Sequence, residues 1–172
     1  MVCTASLAHA ERPNIVYILA DDMGVGDVQA LNPEGKIATP HIDRLTRNGM
    51  SFSNAHSSSS VCTPTRYSIL TGRYNWRTRL ADGVLWGYSQ PLIKPDEMTV
   101  GRLLQAQGYA TACIGKWHFG MDWTLKEGGL AYTETDKDPW SVDYTKPITN
   151  GPTTRGFDYF FGISGSLDMF PF

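Results

Sequence analysis

Two adjacent carboxylates, Asp21 and Asp22, directly follow a continuous apolar run at residues 14–20. Adjacent carboxylates repel one another, so such a pair is stabilised by a bound cation or by basic neighbours. Oxygen ligands suit a hard divalent cation such as Ca²⁺ or Mg²⁺. The alternative interpretation is a solvated Asp-Asp turn ahead of Gly24 and Gly26, and these residues alone leave both interpretations equally open.

A second motif at residues 62–66 reads CTPTR and follows a serine cluster at residues 57–60. Its proline fits the first turn of a helix predicted over residues 64–71, and Arg66 lies over Cys62 on the same face if Cys62 is the cap. A helix N-terminus and a guanidinium together bind anionic groups, and a thiol at such a position is activated. The alternative is a small buried cysteine beside an unrelated arginine.

A third motif at residues 115–118 reads GKWH and follows another apolar run, at residues 109–114. Lys116 and His118 alternate to the same side if the chain stays extended, so an ammonium and an imidazole would face one pocket. The alternative is a surface lysine beside a partly buried histidine, which is favoured slightly for this segment alone. The three motifs together indicate an anion-binding pocket with a cation nearby.

Apolar patterning predicts the elements that position these motifs. The β-branched run at residues 14–20 is typical of a strand buried on both faces of a parallel sheet. Residues 52–55, 109–114 and 159–163 are the other predicted strands. Thr39 and Thr99 are typical helix starts, with Gly49 and Gly108 as the matching stops. In the second of these helices, Val100, Leu103 and Leu104 are expected to face inward.

The alternation of these elements predicts an α/β fold, a three-layer α/β/α sandwich with a mostly parallel central sheet. In such folds ligands bind at the carboxyl ends of the strands, which is where the first and third motifs stand. The segment at residues 122–152 has no periodicity and is rich in Gly, Pro, Thr and Asp, so it is predicted to be a long excursion.

Composition excludes several other classes of protein. The 172 residues carry 15 Lys+Arg against 17 Asp+Glu, for a net charge of −2, which argues against a nucleic-acid partner. The three cysteines, Cys3, Cys62 and Cys113, are too few and too widely spread for a disulfide scaffold, and Cys113 is expected to be buried and structural. The apolar stretch at residues 15–20 is too short to span a membrane.

The first ten residues, MVCTASLAHA, end in an A-x-A triplet just before the polar segment at residues 11–14. Such a triplet is typical of the cleavage end of a secretory signal. We therefore expect residues 1–10 to be a signal-peptide remnant that includes Cys3, and the mature protein to be exported to the periplasm or the extracellular space. The alternative is an unstructured leader of small residues.

These motifs resemble those of a known family, the type I sulfatases of the alkaline phosphatase superfamily. CTPTRYSILTG at residues 62–72 is similar to the family's C-x-P-x-R signature with its trailing T-G, and GYATACIGKWH at residues 108–118 is similar to its second signature. The segments at residues 12–22 and 39–43 resemble the usual opening of the family. The resemblance covers residues 12–172.

The resemblance implies that Cys62 is oxidised to formylglycine by a formylglycine-generating enzyme. One hydroxyl of the aldehyde hydrate attacks sulfur and expels the alcohol, and the other then expels sulfate. The implied metal is Ca²⁺, with Mg²⁺ less favoured, and its implied ligands are Asp21, Asp22 and the modified Cys62. The chain would then be an arylsulfatase-like sulfuric ester hydrolase that acts on a sulfated small molecule or carbohydrate.

The resemblance also assigns roles to the remaining residues. Arg66 would hold the formylglycine, Lys116 would contact sulfate, His118 would hydrogen-bond the nucleophile, and Ser166 would lie near sulfate. Further metal ligands and the leaving-group acid of the family have no counterpart here. Residues 11–172 are therefore expected to be the N-terminal portion of a sulfatase domain, inactive alone. The alternatives are a phosphonate monoester or phosphodiester hydrolase of the same superfamily, and a non-catalytic anion- or calcium-binding remnant.

Overall fold

The computed structural model describes residues 12–129 and 139–171. The chain divides into two compact units, residues 1–53 (unit 1) and residues 54–172 (unit 2). The expected signal-peptide remnant at residues 1–10, with its Cys3, lies outside the described residues. In the part of the chain that the structure describes, no helix has both the length and the apolar character needed to cross a membrane.

Unit 1 contains helix α1, Pro40–Asn48, which begins after Thr39 and ends before Gly49 as predicted. The proline at the first helical position has its φ angle preset for the helix. The carboxylate of Asp43 in the first turn accepts a hydrogen bond of 3.0 Å from the backbone N–H of Ala30. This contact ties the start of the helix to the turn that precedes it.

The prediction of a buried strand at residues 14–20 is wrong, because this segment has no strand assignment in unit 1. The side chains of Val16 and Ile18 are 81% and 80% exposed. A strand depends on backbone hydrogen bonds to a neighbour, and the two-stranded sheet found in the described residues is made from other segments. The strand expected at residues 52–55 is also absent. The composition of a segment shows that it is suited to a β-sheet. It does not show that a neighbouring strand is available to pair with it.

The described residues of unit 2 form, besides short 3-10 turns, two α-helices and two strands: α2 at Cys62–Thr71, α3 at Val100–Ala106, β1 at Ala112–Lys116 and β2 at Tyr159–Ile163. The strands pair in parallel, with Ala112 opposite Tyr159 and Lys116 opposite Ile163. The predicted α/β class with a parallel sheet is therefore confirmed. β2 matches its predicted bounds, whereas β1 lies further along the chain than the predicted residues 109–114.

Helix α2 begins earlier than predicted. Its first residue is Cys62 instead of Pro64, and Val61 occupies the N-cap. Cys62 is therefore the first helical residue and not the cap. The backbone N–H groups of the first turn have no partners within the helix, so the cysteine stands where the positive end of the helix dipole is concentrated.

Helix α3 starts as predicted but buries a different face. Thr99 caps it by accepting a hydrogen bond of 3.2 Å from a backbone N–H in the first turn. Val100 and Leu103, expected to face inward, are 41% and 52% exposed, and Gly101 is buried. A Cβ atom at Gly101 would lie 2.4 Å from the carbonyl oxygen of Gly156. The glycine face of the helix therefore packs directly against the backbone at Gly156, which leaves Val100 and Leu103 exposed, whereas Leu104 is half-buried.

The core of unit 2 is rich in aromatic side chains. Its buried members are Tyr67, Leu85, Tyr88, Leu92, Ile93, Trp117, Phe119, Met121, Trp123 and Val142. The rings of Trp117 and Phe119 meet edge to face with centroids 4.8 Å apart. Described parts of the predicted excursion at residues 122–152 join this core through Trp123 and Val142, and a short antiparallel bridge links Leu125 to Val142.

β1 and β2 carry glycines at one pair of facing positions, Gly115 and Gly162. A Cβ atom built on Gly162 would lie 1.8 Å from the carbonyl oxygen of Gly115. Gly115 has a φ of +102°, a backbone conformation that residues with a Cβ rarely adopt. This close approach explains why glycine stands at the paired position of both strands.

We expect Gly162→Ala to lower the free energy of unfolding by about 1–3 kcal/mol, because the added methyl group must displace the β1 backbone. Chemical denaturation of the complete protein measures this effect. Gly26→Ala is the control, since the nearest atom to its Cβ is 3.7 Å away. A Gly162→Ala variant as stable as the control would contradict the close approach.

Candidate active site

The ammonium of Lys116 connects two of the predicted site residues. Lys116 is the last residue of β1, and its Nζ donates hydrogen bonds to the Sγ of Cys62 and to the Oγ of Ser166, both at 3.1 Å. The first residue of α2, the end of β1 and the loop after β2 therefore meet at one positive charge. Such an arrangement suits a small anionic group, because the charge and the helix N-terminus act in the same sense.

Arg66 ties helix α2 to the end of β1. Its Nη1 donates a hydrogen bond of 2.8 Å to the backbone carbonyl of Lys116. Because Arg66 stands one turn after Cys62, this bond fixes the cysteine and the lysine in one cluster. The charge of Arg66 also acts on Cys113: burial raises the pKa of the Cys113 thiol, and the guanidinium offsets part of that rise. A raised pKa leaves this thiol protonated near neutral pH, but the side chain is half-buried and not fully buried as expected.

His118 is fully buried and has a left-handed backbone with a φ of 63°. Its Nε2 lies 2.6 Å from the carbonyl oxygen of Leu85, and its backbone N–H donates to the carbonyl of Ser164 at 2.9 Å. The extended chain on which the predicted alternation with Lys116 depended does not continue to this residue. A left-handed non-glycine residue persists only where its surroundings hold it, and these bonds supply that hold.

Asp21 and Asp22 belong to unit 1, where both are exposed and Asp22 has a left-handed φ of 55°. Aspartate tolerates this conformation better than most residues. Their carboxylates are the right chemistry for a hard cation, but Ca²⁺ takes about six to eight oxygen ligands. No group of three His, Cys, Asp or Glu residues suited to a metal ion occurs within residues 12–129 and 139–171. The pair therefore fits a part of a calcium ligand set and not a whole one.

The structure also reveals an anchor of helix α2 that motif analysis missed. The Tyr67 hydroxyl donates to Oε1 of Glu97, whose Oε2 accepts a hydrogen bond of 3.1 Å from the backbone N–H of Lys94. Burial, followed by this bond, raises the pKa of Tyr67 to about 12. The partners are 30 residues apart, so no local pattern in the sequence indicates the pair.

Thr63, the second residue of α2, was likewise not singled out by sequence. Its side chain is fully buried, and its Oγ1 accepts a hydrogen bond of 3.2 Å from the backbone N–H of Leu85. Neither the residue type nor the spacing of this threonine marks it as a site residue. Only the packing of the loop around Leu85 against the helix shows this contact.

Comparison with known proteins identifies the family. The family model Sulfatase matches residues 13–170, and the chain belongs to this family. It is 37% identical over 163 residues to an N-acetylgalactosamine-6-O-sulfatase of Bacteroides thetaiotaomicron, covering 95% of this chain and 29% of that protein. It is 38% identical over 160 residues to human steryl-sulfatase, covering 90% of this chain and 24% of that protein. The chain thus spans less than a third of the length of these relatives.

A solved structure from work on glycosaminoglycan metabolism by Bacteroides thetaiotaomicron has a similar backbone. The TM-score is 0.77 at 38% identity, and the match covers 94% of this chain and 30% of that one. Likeness at this level places the chain in the alkaline-phosphatase-like α/β fold expected from the resemblance.

The raised pKa of Tyr67 predicts a pH-dependent stability. As pH rises above the ordinary value of 10.0, the unfolded chain ionises this tyrosine while the folded chain keeps it protonated until about 12. The stabilisation is therefore complete below the lower value and is lost between the two. We expect the stability difference between wild type and Tyr67→Phe to shrink across this interval in denaturation measured at several pH values. Parallel pH profiles of the two proteins would contradict the assignment.

Proposed function

We propose that the complete protein hydrolyses sulfate monoesters at the cluster of Cys62, Lys116 and Ser166. The observation that carries this proposal is the ammonium of Lys116, which bonds the side chains of both other residues at 3.1 Å. A sulfate ester is a small anion with several acceptor oxygens. A cation held at the start of a helix is an effective partner for that group.

Cys62 is the proposed site of oxidation to formylglycine by a formylglycine-generating enzyme. This modification would supply an aldehyde hydrate as the nucleophile, whose covalent adduct can collapse by elimination. The sequence at residues 62–66 and the place of Cys62 at the first position of α2 support the proposal. The thiol stands next to the charge that would hold the anion.

The neighbouring residues bind and orient. We propose that Lys116 donates to a sulfate oxygen and stabilises the negative charge that develops in the transition state. Ser166 shares the ammonium and would donate its hydroxyl to the same anion. Arg66 fixes the start of α2 against β1 and would hold the modified residue in place. His118 would hydrogen-bond the nucleophile.

Asp21 and Asp22 are the proposed ligands of a bound Ca²⁺, with Mg²⁺ less favoured. Their two exposed carboxylates provide hard oxygen donors, and adjacent aspartates carry a repulsion that a cation relieves. A bound cation would polarise a sulfate oxygen and favour an ionised hydroxyl. Further ligands are needed beyond this pair, as the ion's coordination number requires.

The substrate we propose is a sulfated carbohydrate or small molecule, including aryl sulfates. Relatives named as an N-acetylgalactosamine-6-O-sulfatase and a steryl-sulfatase support this range. Because the chain spans 29% of the first of these relatives, we propose that residues 11–172 form the N-terminal portion of a larger catalytic domain. The A-x-A triplet at residues 8–10 supports export to the periplasm or the extracellular space.

The nucleophile is tested with the complete protein and an aryl sulfate. We expect Cys62→Ala to abolish turnover, whereas Cys113→Ala, which changes a half-buried cysteine outside the cluster, should retain it. The mass of the wild-type peptide that contains Cys62 should be lower by about 18 Da, the difference between thiol and aldehyde side chains. Equal turnover by wild type and Cys62→Ala would exclude the proposal, and an unmodified thiol would favour a non-catalytic remnant.

The role of Lys116 is tested by removing its charge. Lys116→Met should lower kcat about 100-fold or more, because a preorganised donor to the transition-state charge is lost. Ser166→Ala should have a smaller effect, since the ammonium remains. Steady-state kinetics on matched aryl sulfate and aryl phosphate esters measure both effects. A preference for the phosphate ester would favour a phosphate- or phosphonate-ester hydrolase instead.

A further inference from the structure

The backbone of Leu85 connects the start of helix α2 to the imidazole of His118. Its N–H donates to Oγ1 of Thr63 at 3.2 Å, and its carbonyl oxygen lies 2.6 Å from Nε2 of His118. Thr63 and His118 are fully buried, and Leu85 is 2% exposed. Water therefore has no ready access to these hydrogen bonds, and a lost partner would leave a buried polar group unsatisfied.

The bond to Leu85 determines which ring nitrogen of His118 carries a proton. A backbone carbonyl can only accept a hydrogen bond, so Nε2 is the donor. The orientation of the Leu85 carbonyl thus decides both the tautomer and the direction of the ring.

A second hydroxyl fixes that carbonyl from the other edge of its peptide plane. The N–H of Trp86 belongs to the same planar unit as the Leu85 carbonyl, and it donates to Oγ of Ser89 at 2.9 Å. Ser89 is 2% exposed. Thr63 therefore holds the N–H of Leu85, and Ser89 holds the N–H that follows the Leu85 carbonyl. Together the two bonds leave the backbone at Leu85 little freedom to rotate.

We propose that Thr63 and Ser89 are positioning residues that set the tautomer and orientation of His118 through the Leu85 backbone. The expected effect on kcat rests on the proposed function, whereas the expected effect on the orientation of the His118 ring does not. Thr63 directly follows Cys62 on helix α2. The same bond therefore also fixes the imidazole relative to the helix that carries the nucleophile.

The kinetic test compares threonine variants of helix α2 in the complete protein. Thr63→Val keeps the shape but removes the acceptor, and should lower kcat about 10- to 100-fold with KM little changed, as small displacements of reacting groups do. Thr63→Ser restores the acceptor and should recover most of the rate. Thr71→Val is the matched control, because its hydroxyl bonds Tyr67 at the far end of the helix.

Two measurements separate positioning from general destabilisation. Melting temperatures should fall to a similar extent in Thr63→Val and Thr71→Val, whereas kcat should fall only in the first. Ser89→Ala provides an independent variant if Thr63→Val does not fold, and it should lower kcat in the same way. Wild-type kcat in both Thr63→Val and Ser89→Ala would overturn the inference.

A spectroscopic measurement keeps the inference distinct from the proposed function. The ring N–H proton of His118, assigned with His118→Asn, should give a downfield resonance in wild type that shifts or broadens in Thr63→Val and Ser89→Ala. An unchanged resonance in both variants would overturn the positioning role. Lack of sulfatase activity in wild type would exclude the proposed function alone, since the resonance decides the positioning without turnover.

Discussion

The candidate site depends on the parallel backbone ladder between β1 and β2. The ladder continues past the end of β1, where the N–H of Trp117 donates to the carbonyl of Ile163, the last residue of β2, and that of His118 donates to the carbonyl of Ser164, both at 2.9 Å. These bonds therefore fix the GKWH segment, residues 115–118, against the end of β2 and the loop that follows it. This is why the side chain of Lys116 can reach Ser166, 50 residues away, and the thiol at the start of α2.

Selectivity for an anion here needs few charges. The chain has a net charge of −2, so its overall charge would not attract the anionic ester of the proposed function. In the proposed function it would come instead from one ammonium, one guanidinium and one helix N-terminus, which lie together in unit 2. The two cations have different partners: the Arg66 guanidinium binds the backbone carbonyl of Lys116, whereas the Lys116 ammonium binds the side chains of Cys62 and Ser166 and would contact the anion in the proposed function.

Buried polar contacts hold the site rigid, but each buried polar group must keep its hydrogen-bond partner. Tyr67 with Glu97, and Thr63 with Leu85, are hydrogen-bonded inside an aromatic core, where an unpaired group would be strongly unfavourable. They hold two successive turns of α2 against separate loops. The left-handed backbone of His118 is tolerated for the same reason, because its N–H and its ring are both bonded to backbone carbonyls.

The sequence by itself determined the features that depend on neighbouring residues. The starts of α1 and α3, the strand at residues 159–163 and the order of the two signatures follow from capping, proline and apolar patterns within about ten residues. Tertiary structure alone decided the rest. The apolar run at residues 14–20 forms no strand in unit 1, α3 turns Gly101 inward, and Tyr67 finds Glu97 across 30 residues. These outcomes depend on which distant segment of the chain packs against each element. The residues next to an element in the sequence do not specify that segment.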